Sequence, residues 1–123
     1  MTENEISYKI IGCALKVHSA LGPGLLEGAY EACLAYELRK ENLEVDCQKP
    51  LPLVYEEVKL EAGYRVDIMV NKKVIVECKA VEAMHPVYVA QLLTYLRLSG
   101  CKLGLLINFH ELHLKDGIKR YVN

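Results

Sequence analysis

Two apolar runs separated by a short polar turn constrain the fold of this chain more than any other feature. Residues 64–70 and 74–80 are rich in Val and Ile, and the polar residues 71–73 separate them. Runs this apolar are typical of strands that are covered on both faces of a sheet. The pattern therefore predicts a hairpin of two strands in the middle of a covered sheet.

Asp67, Glu77 and Lys79 are charged residues that lie within these apolar runs. Because side chains alternate along a strand, Glu77 and Lys79 point to the same face, and hairpin pairing brings Asp67 beside Glu77. Such residues commonly form a solvated face, but charges within covered strands are costly unless they are paired or bind an ion. Carboxylates bind hard cations such as Mg²⁺, and a neighbouring lysine can stabilise charge on a phosphate. We therefore favour a metal-dependent phosphodiesterase site.

The composition indicates one globular domain that spans residues 1–123, with 52% hydrophobic residues and a formal net charge of −1. No apolar run is long enough to span a membrane, and the acidic start lacks a signal-peptide pattern, so we expect a cytoplasmic protein. The five cysteines form no C-x-x-C pair and are interpreted as buried free thiols. The charge argues against a large basic surface for nucleic acid, although it leaves room for a small patch.

Hydrophobic periodicity and turn residues predict the element order ααβββαββ. The predicted helices cover residues 3–20, 25–41 and 86–99, and the predicted strands cover 50–55, 64–70, 74–80, 102–109 and 118–122. Pro50 and Pro52 place the first strand near a sheet edge, because proline cannot donate to the ladder. An antiparallel hairpin followed by a crossover through the third helix predicts an α/β fold, with a mixed sheet flanked by helices.

The charged residues and their context resemble the PD-(D/E)XK nuclease superfamily. Asp67 is followed by Glu77-Cys78-Lys79, then by a helix and a buried strand. The segment Gly24-x-x-Glu27-x-x-Tyr30 resembles the GxxExxY family of that superfamily, and the likeness extends over residues 10–122. The resemblance implies a restriction-endonuclease-like fold and a nuclease that depends on Mg²⁺ or Mn²⁺, acting on DNA, with RNA as the second choice.

The resemblance also implies roles for individual residues. The metal ligands are the Asp67 and Glu77 carboxylates and the Cys78 backbone carbonyl. Glu27 supports or completes the metal shell, although an acid in the first turn of a helix also stabilises the helix dipole alone. Lys79 orients the attacking water or offsets charge in the transition state.

A second helix motif, Gln91-x-x-x-Tyr95, is similar to the Q-x-x-x-Y motif of RecB-type and lambda-exonuclease-like nucleases. It implies that Gln91 positions Lys79 or the phosphate, and that Tyr95 either supports the site or contacts nucleic acid. We expect further nucleic-acid contacts from Tyr30, which shares the helix face of Glu27, and from the C-terminal pair Lys119 and Arg120.

Two rival functions remain compatible with the sequence. One is a catalytically inactive nuclease-like module that binds nucleic acid or protein, an interpretation that the near-neutral charge favours. The other is a homo-oligomeric scaffold that associates through apolar surface around Leu112 and Leu114.

Overall fold

A computed structural model describes all 123 residues of the chain. The elements are α1 (Glu3–Leu21), α2 (Glu27–Lys40), β1 (Val45–Tyr55), β2 (Val58–Val70), β3 (Val74–Lys79), α3 (Pro86–Ser99), β4 (Leu103–Asn108), a short 3₁₀ helix (Leu114–Gly117) and β5 (Ile118–Val122). The predicted order ααβββαββ is confirmed, and the 3₁₀ helix is an addition that the sequence pattern did not predict. No helix is both long and apolar enough to cross a lipid bilayer.

The five strands form one mixed sheet in the order β1-β2-β3-β4-β5. Only β3 and β4 are parallel, and α3 makes the crossover between them, whereas the other neighbours are antiparallel. β1 lies at one edge, as its two prolines predicted. The sheet is therefore the predicted α/β arrangement of an antiparallel hairpin joined to a parallel crossover.

Helices cover both faces of the sheet and create two cores. Under α1 and α2 lies a core of 19 buried residues, which we call the helix-pair core. Under α3 lies a smaller core of eight buried residues, which we call the α3 core. Gly104 of β4 permits the close approach of α3, since a Cβ atom at this position would lie 2.9 Å from Leu92 Cδ1.

The helix ends follow from local residues. Thr2 and Glu5 form a capping box at the start of α1, and Gly22 ends that helix with φ of 68°. The His85 side chain accepts a hydrogen bond from Val87 N–H at the start of α3, and Gly100 ends α3 in the left-handed conformation. These boundaries confirm the predicted helices to within two residues.

The strands β1 and β2 are longer than predicted. β1 begins at Val45 instead of residue 50, and β2 begins at Val58 instead of residue 64. β2 pairs with β3 only over Ile68–Val70. The remainder of β2 pairs with β1 alone, so these two strands extend from the sheet as a two-stranded ribbon. Residues 54–63 of this ribbon are exposed, which explains why they carry little of the apolar alternation on which the sequence prediction relied.

Candidate active site

The ladder between β2 and β3 ends one residue before the two predicted carboxylates. The last pair is Ile68 with Val76, so Asp67 and Glu77 would form the next one. Instead, the Asp67 N–H donates to Glu77 Oε2 at 2.7 Å, and the Cys78 N–H donates to Asp67 Oδ2 at 2.9 Å. Each carboxylate therefore accepts a main-chain donor of the opposite strand, and this crossed pair holds both acids where the strands separate.

The alternation of side chains in β2 also breaks at Asp67. Val66 packs in the α3 core, whereas Ile68 packs in the helix-pair core. In a regular strand, two residues separated by one would share a face. Burial raises the pKa of Glu31 in α2 and of Tyr95 in α3, and Asp67 lies close enough to both helical layers for its charge to add to both shifts.

Glu77 is almost completely buried, with 4% of its surface exposed. Burial, and next the negative charge of Asp67, raise the pKa of Glu77 to about 8, and the hydrogen bond from the Asp67 amide opposes this shift. The second oxygen, Glu77 Oε1, accepts no hydrogen bond from the protein. Glu77 is therefore a buried acid with one oxygen available to a ligand.

Lys79 lies at the carboxyl end of β3 and is half-buried. Its Nζ lies 4.7 Å from the centroid of the Tyr88 ring of α3, a favourable cation–π geometry. Strand alternation places Lys79 on the same face as Glu77. The contact with Tyr88 thus holds the ammonium at the α3 side of the sheet, whereas alternation predicted only that Lys79 shares a face with Glu77.

One face of α3 carries Tyr88, Gln91 and Tyr95, which are spaced by three and four residues. Tyr95 is 8% exposed and stacks on Tyr64 with 4.9 Å between ring centroids. Burial raises the pKa of Tyr95, and the charges of Glu77 and Asp67 add to the shift. Gln91 lies between the two tyrosines, is exposed, and makes no hydrogen bond to the site. Its predicted role stays a prediction, while Tyr95 packs beside the site with little surface for nucleic acid.

Glu27 is the first residue of α2, and the helix cap is Leu26, which makes no side-chain cap bond. Burial raises the pKa of Glu27, the Lys79 ammonium lowers it and the Asp67 charge raises it. Glu27 therefore lies within the electrostatic field of the predicted site residues. Its role as a supporting carboxylate stays a prediction.

The sequence interpretation missed two residues of the site, Glu31 and Gln48. Gln48 Nε2 donates to Glu31 Oε1 and Oε2 at 2.9 and 3.0 Å, and to Asp67 Oδ1 at 3.3 Å. Burial raises the pKa of Glu31, and Asp67 and Glu27 contribute to the shift while Gln48 opposes it. Glu31 lies four residues after Glu27 on the same helix face, a signal that was present in the sequence. Nothing in the sequence pattern distinguished Gln48.

The donor set fits a cation that keeps part of its water shell. No three His, Cys, Asp or Glu residues are grouped closely enough to hold a metal by themselves. Mg²⁺ usually binds through one or two carboxylates together with waters and substrate phosphates. The Cys78 N–H points to β2, where it donates to Asp67, whereas the carbonyl of the next residue, Lys79, accepts from Phe109 N on the β4 side. Because the N–H and C=O of one strand residue point to the same side, the Cys78 carbonyl also faces β2. Asp67, Glu77 and this carbonyl are therefore suitable ligands.

Tyr30 does not have the position that nucleic-acid contact requires. It is completely buried and stacks on Phe109 with 4.6 Å between ring centroids. Its hydroxyl donates to Gly22 O at 2.5 Å and accepts from Leu25 N at 3.0 Å. The prediction of a nucleic-acid contact is wrong for Tyr30, because this face of α2 packs on the sheet. Tyr30 instead fixes the loop that leads into Glu27.

The two basic residues of β5 lie on opposite faces of the sheet. Lys119 is exposed and pairs with Leu106 of β4, which in turn pairs with Glu77 of β3. Lys119 therefore lies on the same face of the sheet as Glu77, two strands away and at a distance of about 10 Å. Arg120 donates instead to Asn4 of α1 on the other face. The pair therefore does not form one basic patch.

The surface predicted around Leu112 and Leu114 is smaller than expected. Leu112 is 81% exposed, but Leu114 is 2% exposed and belongs to the helix-pair core. The 3₁₀ helix that begins at Leu114 turns this side chain inward.

The cysteines also differ in part from the prediction, since Cys47 is exposed and Cys33 is only partly buried.

In a comparison with protein-family models, residues 4–121 match the PD-(D/E)XK nuclease superfamily. The chain belongs to the PD-(D/E)XK nuclease superfamily. The mixed sheet with helices on both faces is accordingly a restriction-endonuclease-like fold. Searches of curated proteins and of solved structures found no match. Asp67 and the segment Glu77-Cys78-Lys79 lie within the residues that match this PD-(D/E)XK family, and Val66 precedes Asp67 where the superfamily name has a proline.

Proposed function

We propose that this PD-(D/E)XK protein is a nuclease that uses Mg²⁺ or Mn²⁺ to hydrolyse phosphodiester bonds of DNA, with RNA as the second choice. The observation that carries the proposal is the crossed pair of Asp67 and Glu77 at the end of the β2–β3 ladder. None of the five ion pairs of the chain includes either residue. Two adjacent carboxylates with no paired cation favour binding of a divalent ion.

Each residue of the site has a role that its position supports. A divalent cation supplies the Lewis acidity that activates water and offsets phosphate charge. The Asp67 and Glu77 carboxylates and the Cys78 carbonyl would hold it, and Glu27 would add a further negative charge from α2. Burial raises the pKa of Glu77, so the metal-free acid favours its protonated form, and a bound cation would favour the ionised form.

The ammonium of Lys79 acts on the substrate and not on the cation, since a protonated amine cannot be a ligand. Tyr88 holds it beside the carboxylates, where it can orient water or stabilise charge that develops on the scissile phosphate. Gln91, exposed one turn from Tyr88, is placed to contact the phosphate from the α3 side. Lys119 is the remaining candidate for a more distant phosphate.

Within the superfamily, we infer that the chain belongs with the GxxExxY proteins. The motif residues Gly24, Glu27 and Tyr30 have connected roles, because the Tyr30 hydroxyl fixes the loop from which Glu27 begins α2. A cytoplasmic location and a homo-oligomer remain proposals. The five free cysteines support a reducing compartment, and the exposed Leu112 supports self-association.

The proposed function is tested by a cleavage assay with a matched variant. The parent chain and Glu77→Gln are incubated with linear and circular DNA, in single- and double-stranded form, and with RNA, each with Mg²⁺, Mn²⁺ or EDTA. We expect cation-dependent cleavage by the parent only. Nucleic-acid binding without cleavage in any combination would instead support the catalytically inactive binding module.

A further inference from the structure

Gln48 has a left-handed backbone conformation, which is unusual within a strand. Its φ is 50°, in the left-handed region, where a side chain with a Cβ atom is strained. β1 and β2 pair at Cys47 with Ile68 and at Lys49 with Val66, so the interrupted position places Gln48 opposite Asp67. The strain therefore coincides with the point where a candidate metal ligand leaves the ladder.

The side chain of Gln48 joins two carboxylates of the site. Its Nε2 lies 2.9 and 3.0 Å from the two Glu31 oxygens and 3.3 Å from Asp67 Oδ1. Because ionised carboxylates only accept hydrogen bonds, the amide nitrogen must face them, which fixes the orientation of the amide. Glu31 projects from α2 and Asp67 from β2, so a single amide links the helix layer to the sheet.

An amide is chemically suited to this position. Lysine or arginine would also bridge two carboxylates, but its charge would offset the negative potential that attracts a cation. The amide of Gln48 donates two protons and leaves the charge unchanged. Asp67 Oδ2 is already held by the Cys78 amide, so Gln48 completes the orientation of the carboxylate through Oδ1.

We propose that Gln48 is a positioning residue, which orients the Asp67 carboxylate for cation binding and uses Glu31 on α2 as its anchor. The inference rests on the proposed function, because it assigns Asp67 to the cation. Hydrogen-bond partners of metal ligands typically change metal affinity by about 10- to 100-fold when they are removed. Gln48 is expected to act in this range without touching the cation or the substrate.

The test compares Gln48→Gly with Glu56→Gly. Glu56 lies in the turn between β1 and β2 and also has a positive φ, of 52°, so glycine relieves the same backbone strain at both positions. Mn²⁺ binding to the full chain is measured by isothermal titration calorimetry. We expect an affinity about 10- to 100-fold weaker in Gln48→Gly and no change in Glu56→Gly.

A second measurement detects the contact without any metal. The side-chain NH₂ signals of Gln48 in a ¹H–¹⁵N spectrum of the metal-free chain should shift in Glu31→Ala and in Asp67→Asn, since both variants alter an acceptor. Signals that do not move in either variant would overturn the proposed bridge.

The outcomes separate this inference from the proposed function. If Asp67→Asn loses Mn²⁺ binding while Gln48→Gly binds as the parent does, the positioning role is wrong and the metal site stands. If the parent itself binds no Mn²⁺, the metal-dependent function is wrong, and the positioning role falls with it.

Discussion

The main-chain amide of Asp67 donates a 2.7 Å hydrogen bond to the carboxylate of Glu77, the residue that would be its ladder partner. The carboxylate of Asp67 in turn accepts from the next residue along β3, Cys78. This exchange satisfies main-chain donors where the strands separate and leaves two acids side by side, neither of which forms a salt bridge.

The stability of the metal-free protein should decrease as the pH rises from about 4.5 to about 8. The folded state raises the pKa of Glu77 from 4.5 to about 8, so folding favours the protonated acid. The resulting stabilisation is complete below the unfolded pKa and disappears as the pH passes through the folded pKa. Each pKa unit corresponds to about 1.4 kcal/mol, so the loss amounts to a few kcal/mol in the free energy of unfolding.

Glu77→Gln is the control for this pH dependence, because its amide resembles the protonated acid. Urea denaturation in EDTA at a series of pH values should give a flatter profile for the variant, which should be more stable than the parent above pH 8. Parallel profiles for the two proteins would assign the pH dependence to another group.

Two substitutions of Asp67 should differ in stability but agree in metal binding. Asp67→Ala removes the acceptor of the Cys78 N–H and should cost about 1–3 kcal/mol, whereas Asp67→Asn retains an oxygen acceptor. Both should lose the increase in Tm that Mn²⁺ gives the parent, because the charge is absent. A Mn²⁺-induced increase in Asp67→Asn equal to that of the parent would place the cation elsewhere.

Tyr30→Phe should destabilise the fold by about 1–3 kcal/mol and leave nucleic-acid affinity unchanged. The variant loses the hydrogen bond to Gly22 O and leaves Leu25 N without its acceptor. Chemical denaturation and DNA-binding titrations measure the two quantities. Weaker DNA binding at unchanged stability would restore the contact role that the burial of Tyr30 argues against.

The elements could be predicted because their signals are local. Gly22 and Gly100 mark helix ends, Pro86 marks a helix start, and the apolar runs around Asp67 and Glu77 mark covered strands. The ribbon could not be delimited in the same way, since residues exposed on both faces have no preferred alternation. Strand length there depends on pairing between β1 and β2, which is not a local property.

The site could be predicted where spacing determines the direction of a side chain. Alternation relates Glu77 to Lys79, but it gives no indication that β2 becomes irregular at Asp67. Helix spacing allowed either Tyr30 or Glu31 to share the face of Glu27 that points to the site. The packing of α2 on the sheet turns Glu31 to the site and Tyr30 to the core. The role of Gln48 depends on a left-handed φ that periodicity does not encode.

The cleavage rate of Lys79→Met distinguishes a nuclease from a module that only binds nucleic acid. Methionine keeps most of the apolar stem of Lys79 and removes its ammonium, which lies over the Tyr88 ring. A protonated amine is not a metal ligand, so the substitution leaves the proposed ligands unchanged. We expect Lys79→Met to bind Mn²⁺ and DNA with nearly the affinity of the parent. We expect it to cleave DNA more slowly by about 100-fold or more. Equal cleavage by both proteins in contaminant-checked preparations, across metals and substrates, would contradict the catalytic account.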